Sequence, residues 1–272
     1  MRRAIIIILI LCSVGSVLLP NAKRTVRRLL RAIIHRVLLL RSRPLSLTNE
    51  VTLLVAPHQD DGTLGCGGLV FQKRLSGNPV HVLYLTDGAA SHPGHPTLTP
   101  DTLSALRKKE ARLAKSRLYL DSACLYFLDL PDGRLPHLDE SSRAAALNKL
   151  GALLTSINPR TILLPWRQDG SSEHEAGFYL VTAALTEIGL RPRVLEYPVW
   201  ATYRPTLLLQ TLLTPLRVHH FSFFGYGAQK DYALASYASQ FKPVPPWTEP
   251  VLPADFAASF KREEEFYFEH AP

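Results

Sequence analysis

The chain is poor in several things at once, and each shortage removes a class of protein. Only three of its 272 residues are cysteine. Cys12, Cys66 and Cys124 lie far apart and form no Cys-x-x-Cys pair. A disulfide framework and a thiolate zinc site are both disfavoured, and a reducing compartment fits better. Internal repeats and low-complexity tracts are missing, which excludes solenoids and arrays. There is no acidic residue before Glu50, while ten of the 31 Lys and Arg fall before residue 44. The remaining 21 basic residues face 23 acidic ones, so the net charge of +8 belongs to the N-terminal segment. That distribution argues against a nucleic-acid-binding body, which would carry its basic patch on the fold itself.

The N-terminal segment is read as two pieces. "MRRAIIIILILCSVGSVLLP" has a basic start and an apolar run shorter than the roughly 20 residues that a spanning helix prefers. It suits a short anchor or a signal-peptide core, although no A-x-A cleavage site is visible. "KRTVRRLLRAIIHRVLLLRSR" places Val26, Leu29, Leu30, Ile33, Ile34 and Val37 at helical spacing between arginines. The pattern predicts a basic amphipathic helix suited to an anionic membrane surface, with an ordinary helix packed on the domain as the alternative. Charge is heavier after the apolar run than before it, which predicts a cytoplasmic body behind a one-pass anchor. Export after signal cleavage is the alternative. The expected division is residues 1–43 as anchor and amphipathic helix, and 44–272 as the catalytic domain.

With 46% hydrophobic residues, the body has enough apolar surface for one large core. Apolar runs at 51–57, 79–88, 123–133, 160–166 and 193–200 read as strands. Helical patterns at 64–76, 101–118, 141–157 and 174–189 separate them. This alternation predicts an α/β fold, Rossmann-like and doubly wound around a mostly parallel sheet. Ligands of such sheets sit beyond the carboxyl ends of the strands.

"PHQDDGTLGCGG" (57–68) stands at the end of the first strand. His58 and Asp61 are one helical turn apart, so both can converge on one cation. His174, after the fourth strand, is the best third ligand. Two histidines and one carboxylate with an open position form a catalytic zinc pattern, although iron or another divalent metal suits the same donors. Asp60 is then free to act as a base toward water. The reading requires the imidazoles of His58 and His174 to lie within about 8 Å of each other. A nucleotide-binding turn is the weaker alternative, because its glycine spacing is wrong and three ionisable groups would crowd a phosphate.

The same stretch resembles the "PHPDDE-x-LGCGG" signature of the LmbE/PIG-L family of zinc-dependent N-deacetylases. "RKKEARLA" with Arg107 and Glu110, "FLDLPDGRL", "SSEHEA", "ALASYASQ" and "KREEEFYF" resemble further elements of that family in the same order, over about residues 51–268. The resemblance implies His58, Asp61 and His174 as ligands of Zn2+, Asp60 as general base, and Arg107 and Asp132 as substrate contacts. It implies removal of acetyl from an N-acetylglucosamine unit on a lipid, inositol or other aglycone. Three positions depart from the pattern. Gln59 replaces Pro, Gly62 replaces Glu, and Ser171 stands where many members carry a histidine credited with oxyanion stabilisation. His92, His95, His219 or His220 are candidates to replace it, and Asp169 or Glu173 to shape the site. "VHHFSFFGYG" is a candidate lining for a sugar pocket. The departures keep open a second reading, a glycan- or glycolipid-binding protein that has lost catalysis.

Overall fold

The computed structural model describes residues 20–46, 48–204, 206–208, 216–253 and 255–269. The apolar run before Pro20, with Cys12, therefore lies outside the described residues. A single eight-stranded sheet organises the chain in the order β1-β7-β8-β6-β5-β2-β3-β4. Its parallel part is β2 (Thr52–Ala56), β3 (Val80–Thr86), β4 (Leu125–Leu130), β5 (Thr161–Pro165) and β6 (Arg193–Tyr197). These are the five predicted strands. Every residue of β2 is buried, as both faces of a doubly covered sheet require. Helices α2 (Asp61–Leu75), α3 (Pro100–Ser116), α4 (Glu140–Ile157) and α5 (Ser172–Glu187) connect them. α2 begins three residues earlier than the sequence pattern suggests, so Asp61 is its first residue and Asp60 its N-cap.

Two layers of core cover the sheet. One packs Leu54, Ala56, Leu69, Val70 and Tyr84 against Tyr197, Phe223 and Tyr237. The other packs Leu53, Val55, Leu83 and Leu85 against Leu150, Leu154, Phe178 and Val181. The glycines of "GTLGCGG" face into the first layer. A Cβ on Gly65 would collide with Tyr197, and one on Gly68 with Phe223. They bring α2 close to its neighbours, so helix packing accounts for the run and the nucleotide-turn alternative loses its support.

The far edge of the sheet differs from the sequence expectation. β7 (Arg217–Ser222) and β8 (Glu264–Glu269) pair antiparallel with each other, and β8 also meets β6 antiparallel. "VHHFS" is therefore a strand paired on both sides within the sheet, not pocket lining. His219 binds Glu269 at 2.8 Å, and His220 lies 2.7 Å from Ser42 Oγ.

The amphipathic helix forms as α1 (Pro20–Arg41). Leu30, Ile34 and Leu38 are buried against Trp166, Ala201, Val218 and Phe268. Burying each contributes roughly 2 kcal/mol, against about 1 kcal/mol for an arginine near an anionic bilayer. The body thus holds the apolar stripe expected to meet a membrane. β1 (Arg43–Pro44) then joins β7 in parallel register.

Candidate metal centre and active site

The site is built where β2, β4 and β5 end. β2 runs into Pro57, whose carbonyl accepts hydrogen bonds from both the amide and the hydroxyl of Thr86. The chain then turns into α2. Asp61 Oδ2 accepts the backbone amide of His58 at 2.9 Å and lies 3.0 Å from His58 Nδ1. His174, on the first turn of α5, brings Nε2 to 3.2 Å from the same oxygen. The two imidazole centroids are 5.8 Å apart, well inside the separation the metal reading requires.

Carboxylates hold the outer nitrogens of both rings. His58 Nε2 lies 3.1 Å from Asp132 Oδ1, and His174 Nδ1 lies 2.8 Å from Asp169 Oδ2. Each carboxylate fixes a ring and leaves the opposite nitrogen aimed at Asp61, the arrangement that orients metal-ligating histidines. His174 Nε2 is fully buried and makes no hydrogen bond. An orphaned imidazole nitrogen beside a second imidazole and a carboxylate fits a divalent cation, and the ligand atoms of His58, Asp61 and His174 lie within 4.8 Å of one another. Without a cation the cluster favours protons. Although burial opposes the charge, the neighbouring carboxylates raise His58 well above its usual range and His174 to about 9. Asp61, also buried, is driven below the ordinary carboxylate range by the two imidazoles.

Asp60 lines a cavity of about 280 Å³ together with His58 and Asp61. Its Oδ1 accepts a 2.7 Å bond from Arg107 Nη2. Burial raises the Asp60 carboxyl above its usual range, Arg107 works against that, and the Asp61 charge adds to it. Arg107 reaches Asp60 past Gly88, which has φ +70°. A Cβ there would collide with Gln59 Oε1 and come within 2.9 Å of Arg107 Cδ. Arg107 and Asp132 both line the cavity, yet each is also bonded to a residue of the site, Asp60 and His58 respectively. Trp200, Leu252 and Phe256 form an apolar wall, and Ser91 and Gln240 a polar one.

Several other candidates fall elsewhere. A Cβ at Gly62 would meet Leu54 of the core at 2.9 Å, so this position faces the sheet and its lost carboxylate leaves the cavity unchanged. Ser171 is the N-cap of α5 but makes no side-chain capping bond. His92 and His95 pack on Trp247 at 5.3 and 5.0 Å, and His95 also binds the Val244 carbonyl, so both serve their loop. Glu173 accepts the Leu135 amide through Oε1 and can share a second metal-compatible group with His58 and Asp132. Sequence reasoning missed how much Asp169 does. Besides His174 it accepts the consecutive amides of Val199, Trp200 and Ala201. An acid five residues before a predicted histidine ligand was the available signal. The wall residues beyond position 199 gave none.

Against curated protein sequences the chain has no significant match. Among solved structures it is similar to a conserved protein from Thermus thermophilus, with 29% identity and a TM-score of 0.53, over 70% of this chain and 79% of that one. It is similar in fold to N,N'-diacetylchitobiose deacetylase from Pyrococcus horikoshii, with 18% identity and a TM-score of 0.53, over 79% and 78% of the two chains. The same fold is found in GalB, the 4-carboxy-2-hydroxymuconate hydratase of Pseudomonas putida, with 18% identity and a TM-score of 0.56, over 70% and 80%. A deacetylase and a hydratase thus share this architecture, and fold alone does not choose between their chemistries. The family profile described as PIG-L: GlcNAc-PI de-N-acetylase matches residues 53–185. That stretch carries His58, Asp60, Asp61, Arg107, Asp132, Asp169 and His174, so every residue of the cluster and its partners lies where the chain is similar to that family.

Proposed function

We propose that the protein is a metal-dependent N-deacetylase that removes acetyl from an N-acetylglucosamine-type sugar conjugate and releases acetate and a free amine. The observation that carries this reading is the division of partners between adjacent aspartates on one cavity, Asp61 among the imidazoles and Asp60 on Arg107. A divalent cation on His58, Asp61 and His174, zinc being the best match to the donor set, would supply Lewis-acid chemistry that acidifies water and polarises an amide carbonyl. The protein's own groups do the rest. Asp60, held by Arg107, is placed to take the proton of the attacking water and to return it to the departing amine. Its raised pKa suits both halves of that exchange. The cavity is at the small end of ligand clefts and suits one pyranose ring, with Trp200 and Phe256 for its apolar face and Ser91, Gln240 and Asp132 for its hydroxyls.

The reading includes association with a membrane through the N-terminus and a cytoplasmic body. The apolar run before Pro20 and the cationic α1 support it. No described helix is long and apolar enough to cross a membrane.

The test is acetate release by purified, zinc-loaded protein from a panel of N-acetylglucosaminyl lipids, nucleotides and oligosaccharides. Release from at least one, lost in Asp60→Ala with sugar affinity kept, supports the reading. Sugar binding without release from any member would favour the non-catalytic binding protein that Ser171 keeps in view.

A further inference from the structure

Of the stripe of α1 that sequence periodicity assigns to a membrane, Val26, Leu30, Ile33 and Ile34 are spent on the core, whereas Leu29 stays outside and belongs to a second stripe. Arg28, Leu29, Ala32, Arg36 and Leu40 are all exposed and follow one another at helical spacing on the outer side. Leu29 is 51% and Leu40 74% accessible. No acidic residue occurs anywhere in α1. Leucines between exposed arginines, with no counter-charge, complement an anionic interface, into which the leucines insert while the guanidiniums remain among the headgroups.

The inner side of the same helix is linked to the cavity wall through Tyr203. Arg27 Nη1 donates to the Tyr203 hydroxyl at 2.8 Å, and both Arg27 and Arg31 lie over the Tyr203 ring. Tyr203 packs on Phe256 at 5.0 Å, and Phe256 packs on Trp200 at the same separation. Those last two rings are the cavity's apolar wall.

We propose that the outer stripe of α1 is a docking surface for an anionic phospholipid bilayer and that it sets the cavity wall beside the membrane interface.

The test uses the full chain with Cys12→Ser and Cys124→Ser, Cys66 being fully buried. An environment-sensitive fluorophore is placed on Leu29→Cys or, as control, on Leu75→Cys at the far end of α2. Vesicles of phosphatidylcholine with and without phosphatidylglycerol are then added. The expected result is a shift to shorter wavelength at position 29 with the anionic vesicles and none at position 75. Arg28→Glu with Arg36→Glu should weaken the position-29 response by at least roughly fivefold for each arginine reversed. Three results would overturn the proposal: no shift at position 29, an equal shift at 75, or a shift that survives charge reversal. None of these readings uses activity, so failure of the deacetylase assay is separable. Acidic proteins added without vesicles identify the competing occupant, and a larger shift with them than with vesicles also counts against the bilayer.

Discussion

Two pairs of histidines separate a site from a surface. His58 and His174 come from different strand ends, and each spends one ring nitrogen on a carboxylate and keeps the other for a shared point beside Asp61. His219 and His220 are neighbours in sequence on β7, so their side chains leave opposite faces of the sheet. One finds Glu269 and the other Ser42. Proximity along the chain is therefore a poor guide to a metal centre. What distinguishes the first pair is a second nitrogen turned toward one shared carboxylate, Asp61, and held in place from behind.

That contrast can be broken most forcefully at the ligands and the base. His174→Ala should abolish stoichiometric zinc and reduce kcat/KM by at least about 10³-fold, read by metal analysis and acetate release. Asp60→Asn should lower kcat by about 10²- to 10⁴-fold while zinc content stays unchanged. Retention of full activity by either variant would sink the assignment. The next effect sharpens the role of the rear carboxylates. Asp169→Asn should weaken zinc affinity by about 10- to 100-fold, measured by competition with a chelator. It should also lower stability by about 1–3 kcal/mol, since one oxygen that accepts buried amides becomes a donor.

A pH titration probes the same pair more gently. In the metal-free protein the folded-state pKa of His174 is raised to about 9 from an ordinary value near 6.5. Its stabilising contribution is then complete below about pH 6.5 and is lost as pH rises through about 9. A cation needs the unprotonated ring, so zinc uptake in that window should release protons, and affinity should tighten up to about tenfold per pH unit for each proton displaced. Proton counts from calorimetry in buffers of different ionisation enthalpy check this, and zero release at pH 7.5 would refute it. The smallest effect belongs to the other pair. His219→Ala and His220→Ala should each leave kcat/KM within about twofold of wild type, at a stability cost of about 1 kcal/mol.

How much of this was legible follows from where each interaction is encoded. β2 to β6 are short apolar runs between helical patterns, and their boundaries fall within two or three residues of expectation. β7 and β8 are mixed runs, "RVHHFS" and "EEFYFE", whose partner is each other across a long separation. Nothing local in "VHHFS" marks it as a strand paired on both sides. That His58, Asp61 and His174 would meet was legible because a strand end followed by His-x-x-Asp is a local pattern, and His174 follows the end of another strand of the same sheet, β5. The Arg107–Asp60 bond depends on the path of α3 past Gly88, and the grip of Asp169 on residues 199–201 depends on β5 and β6 being adjacent. Neither is written in spacing. On α1 the period was read correctly, while the choice between bilayer and core for its inner stripe needed Trp166, Val218 and Phe268 to be brought there by the sheet.

Asp169 has one more implication, for how such a protein diversifies. A single side chain grips both the imidazole of His174 and the stretch of backbone that presents Trp200. The metal-compatible cluster and the apolar wall of the cavity therefore share a hinge pin. Any relative that moves residues 199–201 must also disturb the imidazole of His174. Leu252 and Phe256 have no such tie, and a search for altered selectivity should begin with them.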